Sequence, residues 1–387
     1  MKFLLCLSLL LSARLAAAPG PVGETSPVDP TNGLPPELVA LLAAQPKWST
    51  SLGGEAGIGY KDNLLLSHAA PERSAFARYE VEAFVWHMPR GRTDYSGIVN
   101  AEQTRYFSGQ TIDDETSAFA QLQWRYGIDE LFHFAFDLQG YYLDEVRDVS
   151  DTDVQRVVAR QKLTGGSTGP TLRWSPRPWG WLEVQATGKR DSFQDGFYNA
   201  KIGETVARLG WKPGARVELS LAVTDRLRRF DRRQQYKLSG LPLDGTLLVV
   251  AEREREARLD LKWDDAARWR TSTRIGAVDY RDNGSGYFNF RQKKATQSVE
   301  WRNDRWRFSV DAAARRRDYE KQTVGIGLAP TARVIDDYSA RLRVERKVSA
   351  KWTALLSYAW ERSRSNDTVA SYRVNEGLLG ARWSWEK

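Results

Sequence analysis

From Ser49 onward the chain alternates apolar and polar residues with a period of two, over segments of a dozen residues or more. In Arg216 to Arg228, Val217, Leu219, Leu221 and Val223 share one face, while Arg216, Glu218, Ser220, Thr224 and Arg226 share the other. The same division recurs in Trp306 to Arg317, where Phe308, Val310 and Ala312 oppose Arg307, Ser309 and Asp311. It recurs again in Glu115 to Tyr126 and in Trp352 to Trp360. Period two is the signature of extended strands with two unlike faces. Helical membrane spans need about 20 consecutive apolar residues, and no such run follows the N-terminus.

Tryptophan separates the all-β alternatives. Of the 15 tryptophans, all but Trp360 lie within a few residues of a short turn or a chain end. Trp124 precedes Gly127-Ile128-Asp129-Glu130, Trp174 precedes Ser175-Pro176-Arg177-Pro178, and Trp211 precedes Lys212-Pro213-Gly214. Trp263 and Trp269 bracket one turn, Trp301 and Trp306 another. Trp352 follows a turn, and Trp383 closes the last strand. In an up-and-down sheet whose alternate connections are short, these turns share one end, so the rings form one belt. Indole is amphipathic and collects where hydrocarbon meets water. A soluble sandwich would bury its tryptophans without placing them at one level. The expected fold is therefore an all-β, transmembrane, antiparallel up-and-down β-barrel. Mean hydropathy is only −0.54, which a barrel tolerates because every second strand residue faces the lumen.

The alternating segments number about 16, an even count as in bacterial barrels. Approximate spans are 49–66, 74–88, 93–107, 115–126, 131–143, 154–174, 179–190 and 198–211, then 215–228, 247–263, 268–281, 286–301, 306–318, 332–346, 351–362 and 371–385. Longer polar connections, such as 229–246 and 319–331, alternate with short ones. Long outer loops and short inner turns place both termini on the periplasmic side. Pro71, Pro89, Pro176, Pro178, Pro213, Pro242 and Pro330 fall in turns or loops, and only Pro170 interrupts a strand. There it requires a bulge or a missing ladder bond.

Residues 1–18 read as a secretory signal: Lys2, then the apolar run Phe3 to Leu11, then Ala16-Ala17-Ala18 for cleavage. The one cysteine, Cys6, lies inside it, so the mature chain has no disulfide and no thiolate-bound metal. Residues 19–47 hold seven prolines and read as a periplasmic linker, with a possible short helix after Pro36. The barrel is expected over 48–387. These features point to the outer membrane of a Gram-negative bacterium. The net charge of +8 is interleaved rather than concentrated, and nucleic acid is excluded as a partner. The expected partners are outer-membrane lipid and lipopolysaccharide. Arg253 and Arg255, on the apolar face of 247–263, stand where lipid phosphates or solvent would meet them.

The segment Gly57-Ile58-Gly59-Tyr60-Lys61-Asp62-Asn63 resembles the opening strand of outer-membrane β-barrel porins that carry a Gly-Tyr-x-Asp-Asn element in the first hairpin. Some members of that group are linked to exopolysaccharide export. Val374 to Trp385 resembles the last strand read by the barrel-assembly machinery, although here Glu386 and Lys387 follow the aromatic residue. The resemblance implies a channel for passive diffusion of small polar or anionic solutes, or for a polysaccharide chain. The alternative it implies is an accessory of a surface-export machine working with periplasmic partners.

Function in a barrel resides in the lumen. The expected inward charges are Arg125, Arg216, Glu218, Arg226, Arg274, Asp311, Arg315, Arg317, Arg341, Arg343 and Glu345. Charged rows of this kind set selectivity in pores or pair to hold the wall closed. The membrane-interface belt is expected at Trp124, Trp174, Trp211, Trp263, Trp269, Trp301, Trp306, Trp352 and Trp383, while Trp86, Trp179 and Trp181 fall out of phase. Catalysis is not expected. The histidines are His68, His87 and His133, and a hydrolase would need His133 beside a serine such as Ser117. The acidic stretch 144–153 lacks the spacing of a calcium loop. No metal or cofactor is expected.

Overall fold

A computed structural model describes residues 47–386 except 69–70, 88–90, 149–157, 244–248, 326–329 and 368–369. The signal expected over 1–18 and the linker expected over 19–47, apart from Lys47, lie outside the described residues. Sixteen strands follow one another in chain order. They are β1 (Trp48–Lys61), β2 (Ser74–His87), β3 (Thr93–Tyr106), β4 (Asp114–Gly127), β5 (Phe132–Asp148), β6 (Val158–Arg177), β7 (Gly180–Phe193) and β8 (Ala200–Gly214). The second half comprises β9 (Val217–Gln234), β10 (Val249–Asp264), β11 (Trp269–Asp282), β12 (Phe290–Arg302), β13 (Trp306–Val324), β14 (Thr331–Lys347), β15 (Trp352–Ser365) and β16 (Tyr372–Glu386). Each pairs antiparallel with its sequence neighbours, and β16 pairs with β1, closing the ring. Among the described residues no strand is left with an open edge. Register partners followed once round the wall return to β1 about 20 residues along, a stagger that implies strands tilted by about 40° and a backbone radius of about 15 Å.

The two faces of the wall differ. On β9 the outward Leu221 and Val223 are half or more exposed, at 50% and 54%, whereas Ser220 and Thr224 on the inward face are buried. Leaving a Leu or Val side chain in water instead of an apolar medium forgoes about 1.5–3 kcal/mol. Dozens of such outward side chains make water an unfavourable surrounding for this wall.

Short turns join the strands at the end that holds Trp48 and Glu386. Several are fixed by one polar side chain accepting the first amides of the next strand. Asp129 Oδ1 accepts from Phe132 N at 2.7 Å, Asp265 Oδ1 from Trp269 N at 2.8 Å, and Asn303 Oδ1 from Trp306 N at 2.7 Å. The same residues that form the turn thus place an aromatic at the start of the following strand.

Several boundaries differ from the sequence reading, for local reasons. β1 stops at Lys61 because Asp62 and Asn63 turn to β16. Asp62 accepts from Asn375 N at 2.7 Å, and Asn63 Nδ2 donates to Arg373 O at 3.0 Å. Leu64 then folds inward. β9 and β13 run on to Gln234 and Val324 through register shifts that alternation alone does not reveal. Pro176 and Pro213 lie inside β6 and β8 rather than in turns, each beside a register shift near the turn. Pro170 makes no bulge: Thr168↔Gly188 and Thr171↔Gln185 stay in one register, with no β7 partner at Gly169 or Pro170.

Candidate functional site

The interior face is charged from end to end. At the seam, Glu55 of β1 accepts from Arg343 at 2.7 Å and from Arg382 at 2.8 Å. Arg343 also donates to Glu345 at 2.7 Å, and Arg307 reaches Glu300 at 2.6 Å and Glu345 at 3.8 Å. This network joins β12, β13, β14, β16 and β1. Farther up the wall, Arg315 and Arg317 converge on Asp337 at 2.6 and 2.9 Å, and Ser363 donates to the same carboxylate.

β10 supplies a row of inward acids, Glu252, Glu254, Glu256 and Asp260. Arg226 bridges Glu254 and Glu204, Lys294 meets Glu256 at 2.7 Å, and Arg274 lies 3.3 Å from Asp260. The sequence reading did not name these acids. Their signal lay in the same alternation that put Arg253 and Arg255 on the outward face.

The charges are unevenly distributed round the ring. β3 to β5 present Asp94, Glu102, Glu115 and Asp137 inward, with Arg125 as their arginine. Across the barrel, β11 to β13 present Arg270, Arg274, Lys294, Arg307, Arg315 and Arg317 against fewer acids. Many of these groups remain in contact with solvent: the Arg307 and Arg274 side chains are 41% and 32% exposed inside the wall. A ring of 16 strands encloses space beyond what its inward side chains fill.

Three interior aromatics lie against glycine. Trp181 pairs with Gly210, Tyr141 with Gly165 and Phe76 with Gly59. A Cβ at any of the three glycines would stand 2.0 to 2.4 Å from the ring. The rings occupy the missing side-chain volume rather than the lumen.

At the long-loop end two apolar clusters hold loop residues against the inner wall. Leu64 and Ile112, from the β1–β2 and β3–β4 loops, pack on Phe76, Tyr106 and Leu378. Tyr236, Tyr287 and Phe288, from the β9–β10 and β11–β12 loops, pack on Phe230, Tyr280 and Phe290. Tyr236 and Tyr287 stack with centroids 5.9 Å apart, and Arg233 lies 4.4 Å over Phe288 while pairing with Glu252 at 3.2 Å. Loop length did not identify these segments, because their contribution comes from aromatic anchoring.

The residues singled out in the sequence occupy definite places. Arg125 faces inward beside Asp94 at 3.5 Å. Glu218 takes Lys262 at 3.0 Å and Lys212 at 3.6 Å. Arg226, Arg274, Arg315, Arg317, Arg343 and Glu345 lie in the networks above. Asp311 and Arg341 are direct register partners on the inner face, and Arg341 is exposed there. Arg216 departs from its expected position: it is exposed in the turn between β8 and β9, because β9 begins only at Val217.

Trp124, Trp174, Trp211, Trp263, Trp269, Trp301, Trp306, Trp352 and Trp383 all stand on the outward face near the short-turn end. Trp269 and Trp301 are register partners with ring centroids 6.5 Å apart, as are Trp352 and Trp383 in register. Trp86 and Trp181 face inward: Trp86 Nε1 donates to Asp94 at 2.7 Å, and Arg173 lies 4.4 Å over Trp181. Trp179 is exposed in the turn before β7.

The structure does not bring Ser117 and His133 together. Ser117 pairs with Leu143, at the opposite end of β5 from His133. Asp144, in the acidic stretch, is held by Arg160 at 2.6 Å, and 149–153 lie outside the described residues.

No protein-family model matches the chain, and no curated protein matches it in sequence. Among solved structures, OccAB2 of Acinetobacter baumannii aligns at a TM-score of 0.47 and 12% identity over 88% of this chain and 98% of that one. OccAB4 of the same organism aligns at 0.48 and 7% identity, over 89% and 99%. The outer membrane protein OprD from Pseudomonas aeruginosa aligns at 0.46 and 7% identity, over 88% and 94%.

Proposed function

We propose that the chain is a water-filled channel in the outer membrane of a Gram-negative bacterium, passing small polar solutes by diffusion. One observation carries the reading: a closed barrel has its apolar residues outside and its charged residues inside, with interior arginines still wetted. The outward tryptophans at the short-turn end act as the inner interface belt, which sets that end toward the periplasm. The segment 1–18 directs export, and the assembly machinery reads β16.

The acidic β3–β5 wall and the basic β11–β13 wall create a field across the lumen, strongest where water is scarce. A solute carrying both charges aligns with it, and a solute of one charge is drawn to one wall. Passage of a polysaccharide chain gains no support from this arrangement.

The test is conductance. Refolded full-length protein, added to a planar bilayer, should give stable stepwise current and a heat-dependent shift on a detergent gel. Loss of both results would overturn the reading. A silent bilayer with a normal gel shift would instead point to a barrel opened by an export partner.

A further inference from the structure

On the outward face of β7, β8 and β9, Arg190, Lys201 and Arg229 form a single row. Arg190 is the register partner of Lys201, and Lys201 is the register partner of Arg229. All three side chains are turned away from the lumen, and Lys201 and Arg229 are exposed. Like charges directly opposite one another destabilise a sheet. Asp231, which accepts from Arg190 at 2.9 Å, is the one acid bonded to this row among the described residues. Three cations against one carboxylate leave room for more than one negative charge from outside the chain. The contrast is next door on β10, where Arg253 is neutralised by two bonds to Asp225 at 2.8 and 2.9 Å.

Directly beneath the cations, toward the short-turn end, the next outward row is Gly188, Gly203 and Leu227, again in register. It opens into a shallow groove of about 490 Å³ on the outer wall, lined by Thr168, Pro170, Ala186, Gly188, Gly203 and Leu227 together with Thr205 and Asp225, whose carboxylate is taken by Arg253. A Cβ at Gly203 would meet nothing within 4 Å, so the hollow is not occupied by neighbouring side chains. Below it the wall is the apolar band of Leu182, Val184, Leu209 and Leu221.

We infer that this face binds an acylated glycolipid of the outer leaflet that carries more than one phosphate, with its phosphates on the Arg190–Lys201–Arg229 row and an acyl chain in the groove below. The inference rests on the membrane reading above. Guanidinium groups take phosphate oxygens in pairs and ammonium groups take them as point charges. An acyl chain follows the Gly188–Gly203–Leu227 side of the groove because it buries surface there that a smooth row of bulky side chains would not offer. The charge on the row and the hollow beneath it are separate features, and a phosphorylated, acylated molecule is the ligand that uses both.

Native mass spectrometry of the detergent-purified, full-length barrel tests this with three probes: bisphosphorylated lipid A, phosphatidylglycerol and inorganic phosphate. The barrel should retain lipid A at least ten-fold more strongly than phosphatidylglycerol, and millimolar inorganic phosphate should not displace it. The triple variant Arg190→Gln, Lys201→Gln, Arg229→Gln should lose at least ten-fold in retention. Gly203→Leu, which fills the groove without changing charge, should lose at least three-fold. Both variants should keep wild-type conductance and gel mobility, since neither touches the lumen. Equal retention of phosphatidylglycerol, full displacement by phosphate, or unchanged retention in Gly203→Leu would overturn the inference and leave the channel reading intact. A wild-type chain without conductance or gel shift would overturn the channel reading itself.

Discussion

Trp181 of β7 lies flat across Gly210 of β8, its register partner on the inner wall. A Cβ on Gly210 would stand 2.0 Å from Trp181 Cε2. The indole therefore fills the place of a side chain that is absent. Gly210→Leu should push the ring into the lumen, lower stability by about 1–3 kcal/mol as overpacked sites do, and reduce conductance. Adding Trp181→Ala to Gly210→Leu should restore part of both losses. Urea unfolding of the detergent-folded barrel and single-channel recording check the two effects, and additive losses in the double variant would count against the contact.

Glu55 is the carboxylate that joins β14 and β16 to β1. Its side chain is 6% exposed, and both of its arginines are about one-fifth exposed. Replacing it by alanine leaves two guanidinium groups sharing Glu345 alone. Removing one partner of a buried charge pair costs about 3–5 kcal/mol. Because the arginines retain one acid, Glu55→Ala should fall near the lower end, read as a drop in the urea midpoint.

Arg341 faces Asp311 across β13 and β14 and is exposed to the lumen. Reversing its charge should replace a lumen cation beside the basic wall by an anion without emptying a buried pair. Arg341→Glu is expected to shift the reversal potential in a salt gradient toward cations by a few-fold in permeability ratio. An unchanged potential would remove Arg341 from the selectivity path.

Asp265 fixes the turn between β10 and β11, outside the barrel wall. The amides of Trp269, Arg268 and Ala267 donate to its carboxylate and hold it below the usual carboxylate range. A group with a lowered folded-state value stabilises the fold above its unfolded value and ceases to do so as pH falls through the folded one. Asp265→Ala should therefore weaken the barrel at pH 7, and the gap between variant and wild type should close progressively below about pH 4. Urea midpoints measured at several pH values test the sign.

Alternation made the strands legible because a wall between lipid and water imposes one rule on every second residue. It therefore gave the faces of Leu219, Leu221 and Val223 and of Glu218 and Arg226 without any tertiary information. It did not give the register shifts that lengthen β9 and β13, since each sets five residues of the longer strand against two of its partner and so breaks the alternation. Nor could it show that Trp181 and Tyr141 lie against glycines. Each of those contacts depends on which residue of the next strand stands opposite, and that is fixed by the ring's stagger rather than by local pattern. The mouth was hidden for a similar reason. Tyr236 and Tyr287 come from different loops and meet only after four strands have been placed between and beside them.

The bonds from Asp62 and Asn63 to β16 have a consequence for the order of assembly. They join positions at nearly opposite ends of the chain, as Asp62 with Asn375 illustrates. Loop-closure entropy must be spent before such distant contacts return any stability. Every hairpin can form as its own two strands emerge, but this clasp has no partner until the final strand arrives. An incomplete chain would thus carry two open edges, and the chain's last residues convert a curled sheet into a sealed wall.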